Sequence, residues 1–166
     1  MTTNFTLRPV QASDAAFLTE MLMVAADWRP GAEPRSREEI MAAPSFAHYI
    51  EGWPREGDFG IVAEDSTSLG AAWWRYFRAD DPGYGFVDDA TPEITIGVRE
   101  PAPGRGIGRA MLDMFVAEAN RRELQALSLS VEPDNYAMQM YEAVGFRPVG
   151  DSAGAVTMVM IIGGRV

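Results

Sequence analysis

Between Thr91 and Arg122 the chain reads TPEITIGVREPAPGRGIGRAMLDMFVAEANRR. The stretch divides into a strand over Thr91 to Val98, a glycine-rich turn, and an amphipathic helix from Gly106 to Arg121. Ala110, Met111, Met114, Phe115 and Ala119 are available for the sheet-facing side of that helix. A second strand follows over Leu124 to Val131, where Leu127, Leu129 and Val131 alternate with polar Ser128 and Ser130. A strand–helix–strand crossover from Glu93 to Val131 places two parallel strands side by side. The turn is also an anion site in outline. Its backbone N–H groups and those of the last strand residues can point at a ligand, and the helix N-terminus adds its unpaired ones.

The flanking sequence supplies a scaffold for this unit. Phe5, Leu7 and Val10 suggest a short first strand around Arg8-Pro9, where the missing N–H of Pro9 favours an edge or a strand end. Ser13 and Asp14 offer caps for a helix over Ala15 to Ala25, with Phe17, Leu18, Met21 and Leu22 at helical spacing. A second helical region starts near Arg37 and is interrupted at Pro44. Phe59 to Glu64 and Leu69 to Phe77 read as an antiparallel hairpin across a polar Asp-Ser-Thr-Ser turn. Asp80 to Pro92 reads as a loop. Pro133-Asp134-Asn135 opens a further helix ending near Val144, with Gly145 as its cap. Phe146 to Val149 and Thr157 to Ile162 form a last hairpin. The order of elements predicts one α+β domain, 1–166, with a mixed sheet.

Composition excludes several classes of function. The net charge is -10, and all 14 basic residues are arginine. A broad phosphate-binding face for nucleic acid is therefore not expected. The acidity suits a cationic amine substrate and is equally explained by solubility. There is no cysteine, and His48 is the one histidine. Disulfides, thiol nucleophiles, thiolate metal sites and histidine-rich metal sites are excluded on that ground, and no metal is expected. The N-terminal MTTNFTLRPV lacks the pattern of a secretory signal. No run approaches the roughly 18 apolar residues of a membrane helix. The expected location is the cytoplasm.

Gly104, Gly106 and Gly108, spaced as GRGIG, allow a large ligand to approach the backbone closely. Arg105 and Arg109 add charge there. Ordinary tight turns use glycines too, so the motif alone leaves phosphate binding and a plain turn evenly matched. Two familiar phosphate sites do not fit. A P-loop needs a lysine. A dinucleotide site needs GxGxxG after the first strand of a parallel unit, whereas here Arg109 and Ala110 follow directly.

A second segment, VEPDNYAMQMYEAVGF over Val131 to Phe146, completes a recognisable set. Together with the glycine turn it resembles the GNAT superfamily of acyl-CoA-dependent N-acyltransferases, and the resemblance covers nearly the whole chain. The matching residues are Gly106 and Gly108, Asn135, Tyr141, and Gly145-Phe146. The chain departs from the family pattern at Pro103, where Arg or Gln is usual, and at Met138, where a small residue is usual. The fold this resemblance implies is a mixed, largely antiparallel central sheet with helices on both faces and a parallel strand pair splayed for acyl-CoA.

The resemblance also implies a chemistry. Acetyl-CoA is the expected acyl donor, with coenzyme A as product. Ile96, Gly97 and Val98 correspond to backbone that pairs with the pantetheine and polarises the thioester carbonyl. Pro103, Gly104, Arg105, Gly106, Ile107, Gly108 and Arg109 correspond to the pyrophosphate cradle, with Asn135 as a further contact. Glu93 is the preferred base, and Asp88, Asp89 and Glu100 compete with it. Tyr141 is the preferred general acid, since a phenol with a pKa of about 10 is protonated at neutral pH. Trp28, Trp53, Trp73, Trp74, Tyr76 and Tyr84 suit a core better than an acceptor pocket. The expected reaction is direct transfer of an acetyl group to a primary amine. A small-molecule amine is preferred over a protein amine, and membrane partners are not expected. A homodimer is compatible with the family. The alternative is a noncatalytic acyl-CoA sensor that keeps the turn and needs neither Glu93 nor Tyr141.

Overall fold

The computed structural model describes residues 4–29, 31, 33–99 and 105–163. Seven strands form one mixed sheet in the order β1-β2-β3-β4-β5-β7-β6, flanked by helices. By internal packing the chain divides into two compact units, Met1–Trp74 with Thr95–Met111, and Arg75–Ile94 with Leu112–Val166.

The first unit holds β1 (Thr6–Pro9), β2 (Phe59–Glu64) and β3 (Ser68–Arg75) up to Trp74. β1 pairs antiparallel with β2 and β2 with β3. The polar turn of this hairpin closes on Asp65, whose carboxylate accepts the Thr67 N–H at 3.0 Å. Helix α1 (Ala15–Ala26) buries Leu18, Met21 and Leu22. Asp14 caps the preceding 3-10 turn by accepting the Gln11 N–H at 2.7 Å, and its carboxylate also holds Arg8 at 2.8 Å. It makes no side-chain cap on α1 itself, contrary to the expectation from sequence. Pro44 divides the second helical region as expected. It starts α3 (Pro44–Ala47) immediately after α2 (Arg37–Ala42), because a proline at the first helical position gives up an N–H that would be unpaired anyway. Trp73 and Trp74 are fully buried. Their indole N–H groups reach the carbonyls of Tyr49 and Gly57 at 3.0 and 2.9 Å, which fixes both as core residues.

Strand β4 (Glu93–Val98) contributes Thr95 to Val98 to this first unit. At Gly97 the chain runs against α1. A Cβ there would collide with the carbonyl oxygen of Met21, so only glycine allows this approach.

The second unit contains β5 (Ala126–Val131), β6 (Arg147–Ser152) and β7 (Ala155–Ile161). β7 lies antiparallel between β5 and β6. β4 and β5 are parallel, with Glu93 opposite Ser128. That arrangement needs a long crossover, which α4 (Ile107–Arg121) provides. The buried residues of α4 are Ile107, Met111, Leu112, Phe115 and Ala119, while Met114 is exposed. At about 100° per residue these five form a stripe centred near Phe115, and Met114 falls on its flank. The sequence-based choice of Met114 over Leu112 is corrected accordingly. The alternation along β5 does not make its serine positions a solvent face. Ser128 is fully buried between Leu127 and Leu129, as in parallel strands covered on both faces. Helix α5 (Ala137–Val144) ends at Gly145, whose φ of 129° lets its N–H bond back to the Tyr141 and Glu142 carbonyls.

Candidate active site

The predicted site residues fall into two groups. In the first unit lie the end of β4 and the start of α4. Ile96 and Val98 are half-buried and Gly97 is buried. Gly106 adopts φ +78°, and a Cβ there would meet nothing within 4 Å. The glycine therefore answers a backbone demand, and the space beside it is open to a ligand. Ile107 is buried and starts α4, so its side chain anchors the helix terminus in the core. Arg105 is engaged within the protein. Its guanidinium donates to Asp65 at 3.3 Å and to the Asn4 carbonyl at 3.0 Å, and it stacks over Phe5. The expectation that Arg105 adds charge to a phosphate meets this competition. Arg109 is exposed on the first turn of α4. Pro103, Gly104 and the competing carboxylate Glu100 lie outside the described residues.

In the second unit lie Glu93, Asn135 and Tyr141. Glu93 opens β4 and is only 3% exposed. Its Oε1 accepts the Gly85 N–H at 3.1 Å, a bond made by the loop that leads into the strand. Gly85 itself lies against β5. A Cβ at that position would come within 2.6 Å of the Leu129 carbonyl carbon and 2.9 Å of the Ser130 nitrogen. Part of the Asp80 to Pro92 loop is thus a buried strap that reaches both Glu93 and β5. Asp88 is exposed and used locally, accepting the Ala90 N–H and the Thr91 hydroxyl at 2.9 Å each. Asp89 is exposed as well. Of the three described carboxylates considered as bases, only Glu93 is buried, where a charge is worth most.

Tyr141 sits on α5 with its ring 6.0 Å from Phe146 in an edge-on arrangement. Burial, with a smaller effect of Tyr136, pushes its phenol up to about 12. Asn135 stands just before α5, and its Oδ1 accepts the Ala137 N–H at 2.9 Å. Asn135 thus closes a local turn just ahead of α5, whose cap position, Tyr136, makes no side-chain cap bond.

Sequence reasoning passed over two members of this second group. Gly85 sits among acidic and turn residues and carries no motif. Ser128 looked like the polar half of an alternating strand. The second unit also contains a cleft of about 870 Å³, lined in part by Val87, Thr91, Glu123, Gln125 and Ile161. It opens beside the N-terminal end of β5, and of the residues considered for the site only Asp88, a competing carboxylate, lines it. Among the described residues no group of His, Cys, Asp and Glu side chains is placed to hold a metal ion, and no helix is long and apolar enough to cross a membrane.

The architecture is thus a mixed sheet with one parallel strand pair, β4–β5, and a helix that follows Gly106 in the crossover between them. A family model described as acetyltransferase (GNAT) domain matches residues 4–147. The chain belongs to this GNAT family of acyl-CoA-dependent acetyltransferases. A mycothiol acetyltransferase of Geodermatophilus obscurus is 32% identical over 98 residues, which are 58% of this chain and 30% of that protein. The matched stretch thus spans under a third of that relative's length. Among solved structures, yncA of Salmonella typhimurium, determined with its cofactor acetyl-CoA, superposes with a TM-score of 0.69 at 21% identity, covering 98% of this chain and 96% of that one. The ribosomal-protein-alanine N-acetyltransferase of Brucella melitensis gives 0.68 at 23% identity, covering 95% and 99%. The phosphinothricin acetyltransferase of Sinorhizobium meliloti, in complex with acetyl-CoA, gives 0.67 at 20% identity, covering 96% and 89%. At these identities the structural likeness speaks for the fold.

Proposed function

We propose that residues 1–166 act as one N-acetyltransferase domain that moves an acetyl group from acetyl-CoA directly to a primary amine of a small molecule. The observation that carries this reading is the buried Glu93 carboxylate, tied to the Gly85 N–H at the start of the strand that leads to the glycine turn. Acetyl-CoA, when bound, supplies an activated acetyl thioester. The open space at Gly106 and the N-terminus of α4 suit the anionic part of that molecule. Pro103, Gly104, Arg105, Ile107, Gly108 and Arg109 complete the proposed cradle, with backbone donors carrying more of it than side chains because Arg105 is already paired. Ile96, Gly97 and Val98 offer backbone groups along the acyl arm.

In this reading Glu93 takes the proton that the amine must lose. Tyr141 holds its proton tightly at neutral pH, with a pKa near 12. A thiolate with an ordinary pKa of about 8.5 is the weaker base, so complete transfer from the phenol runs uphill. The role that fits is hydrogen-bond donation toward the departing sulfur, with the proton itself delivered by solvent. A small-molecule amine is the preferred acceptor and a protein amine the alternative; the acidic chain suits a cationic amine of either kind.

Free thiol release from acetyl-CoA tests the activity. The acceptors are an alanine N-terminal peptide, phosphinothricin and spermidine, chosen from compounds named by structural relatives. Tyr141→Phe is expected to lower kcat by roughly tenfold to a hundredfold while acetyl-CoA affinity stays within about twofold. An unchanged rate across pH excludes Tyr141 from the chemistry. Tight acetyl-CoA binding without thiol release on any amine favours the noncatalytic sensor.

A further inference from the structure

Arg105 belongs to the glycine turn, and its side chain is committed to two distant parts of the scaffold. Its Nη1 donates to Oδ2 of Asp65 at 3.3 Å, and its Nη2 donates to the Asn4 carbonyl at 3.0 Å. The guanidinium lies 5.8 Å from the centre of the Phe5 ring. Asp65 and Asn4 are 40 and 101 residues away along the chain. One is in the turn that follows β2, and the other leads into β1.

Asp65 is itself held in place. Its Oδ1 accepts the Thr67 N–H at 3.0 Å, and its own N–H donates to the Thr67 carbonyl at 3.0 Å. The second carboxylate oxygen is the one that takes Arg105. A single exposed ion pair contributes little. Here the planar guanidinium serves an anion, a carbonyl and a ring at once, which an ammonium cannot do. The next residue, Gly106, has φ +78°, and a side chain there would meet nothing within 4 Å. Ala110 donates the first bond of α4 to the Gly106 carbonyl at 3.0 Å. The N–H groups of Ile107 and Gly108 precede that bond and meet no carbonyl within the helix. Arg105 thus ties the turn to the scaffold directly before the donors that an anion would use.

We propose that Arg105 is a positioning residue, the anchor of the glycine turn rather than a side-chain ligand of phosphate, and that Asp65 and Phe5 support acyl-CoA binding through it. The inference rests on the acetyl-CoA reading of this turn. A glycine-containing segment has wide backbone freedom. Fixing it before the ligand arrives removes an entropy loss from the binding step. The effect belongs to the pyrophosphate end of the donor and leaves the acyl transfer itself alone.

The test measures acetyl-CoA binding by calorimetry, thermal melting, and thiol release with the three amines above. Asp65→Asn keeps the oxygen that accepts the Thr67 N–H and removes the charge that holds Arg105. Loss of a negative charge beside an anion site tightens anion binding by electrostatics alone, and a released Arg105 would add to that. The anchor predicts the opposite sign: Kd should rise about threefold. Phe5→Leu, which changes no charge, should raise it about twofold. Arg105→Lys keeps the charge, loses the fork, and should weaken binding as much as Asp65→Asn. In an Arg105→Met background, Asp65→Asn should add less than about 1.5-fold, since its effect runs through Arg105. In every variant kcat should stay within about twofold of wild type. Acetyl-pantetheine lacks the pyrophosphate, so its kcat/KM as donor should also stay within about twofold, whereas general loosening of the fold would penalise both donors. Unchanged or tighter acetyl-CoA binding in Asp65→Asn, wild-type affinity in Arg105→Lys, or equal losses with the two donors overturns the anchor and leaves the acetyltransferase reading standing. A wild type that binds no acetyl-CoA overturns both.

Discussion

Glu123 occupies a conformation that suits glycine. It follows α4 with φ +59°, and its neighbour Leu124 donates its N–H back to the Ala119 carbonyl at 2.9 Å. This is the left-handed closure of a helix C-terminus, where a side chain crowds its own backbone. Glu123→Gly is expected to stabilise the fold by about 0.5–1 kcal/mol. A chemical denaturation midpoint that falls in the variant would refute this. The example also shows the limit of reading single residues. Gly145 was identifiable as a cap because glycine is the expected residue there. Glu123 was not, because its conformation is imposed by the chain around it. Ser128 belongs with Glu123: its chemistry is visible in the sequence, but its burial is decided by what covers both faces of β5.

Helix α4 shows what periodicity can and cannot settle. Its extent and its apolar stripe were legible, because a 3.6-residue repeat survives in any amphipathic helix. The choice between Leu112 and Met114 was not, since both flank the stripe and packing decides between them. The strand–turn–helix unit and the Asn135, Tyr141 and Gly145-Phe146 set carried the family in the sequence itself. The Gly85 strap did not, because a loop that folds back onto a strand leaves no repeat. At its C-terminal end α4 carries an ion-pair cluster. Glu118 accepts from Arg121 at 2.9 and 2.6 Å and from Arg122 at 2.7 Å. The Arg121 hydrogen bond, followed by that of Arg122, holds the carboxyl down to about 2. A carboxyl depressed in the folded state stabilises above its unfolded pKa of about 4.3, and the benefit is lost as pH falls toward 2. Glu118→Gln should therefore cost about 0.5–1 kcal/mol at pH 7, a value discounted for solvent screening, and close to nothing at pH 2. A pH-independent difference in urea midpoint between the two proteins would sink this assignment.

At the scale of the molecule, the family fold leaves the sheet open at both sides, with β1 and β6 as its outer strands. β1 has four residues and ends on Pro9. β6 has six residues, all exposed, with Pro148 near its start and an irregular register between Pro148 and Gly150. A proline removes a donor that an incoming strand would use, and a bulge spoils the straight ladder it would extend. Each edge is thus discouraged from recruiting a foreign strand, and the charge of -10 adds repulsion between copies. The consequence concerns shelf life and expression more than catalysis. Pro148→Val replaces the block with a strong strand former beside exposed Val149. That variant should form sedimenting aggregates on prolonged incubation at high concentration, faster than wild type in the same buffer and faster still in high salt. Equal light scattering from the two proteins over that incubation would mean that charge alone guards the β6 edge.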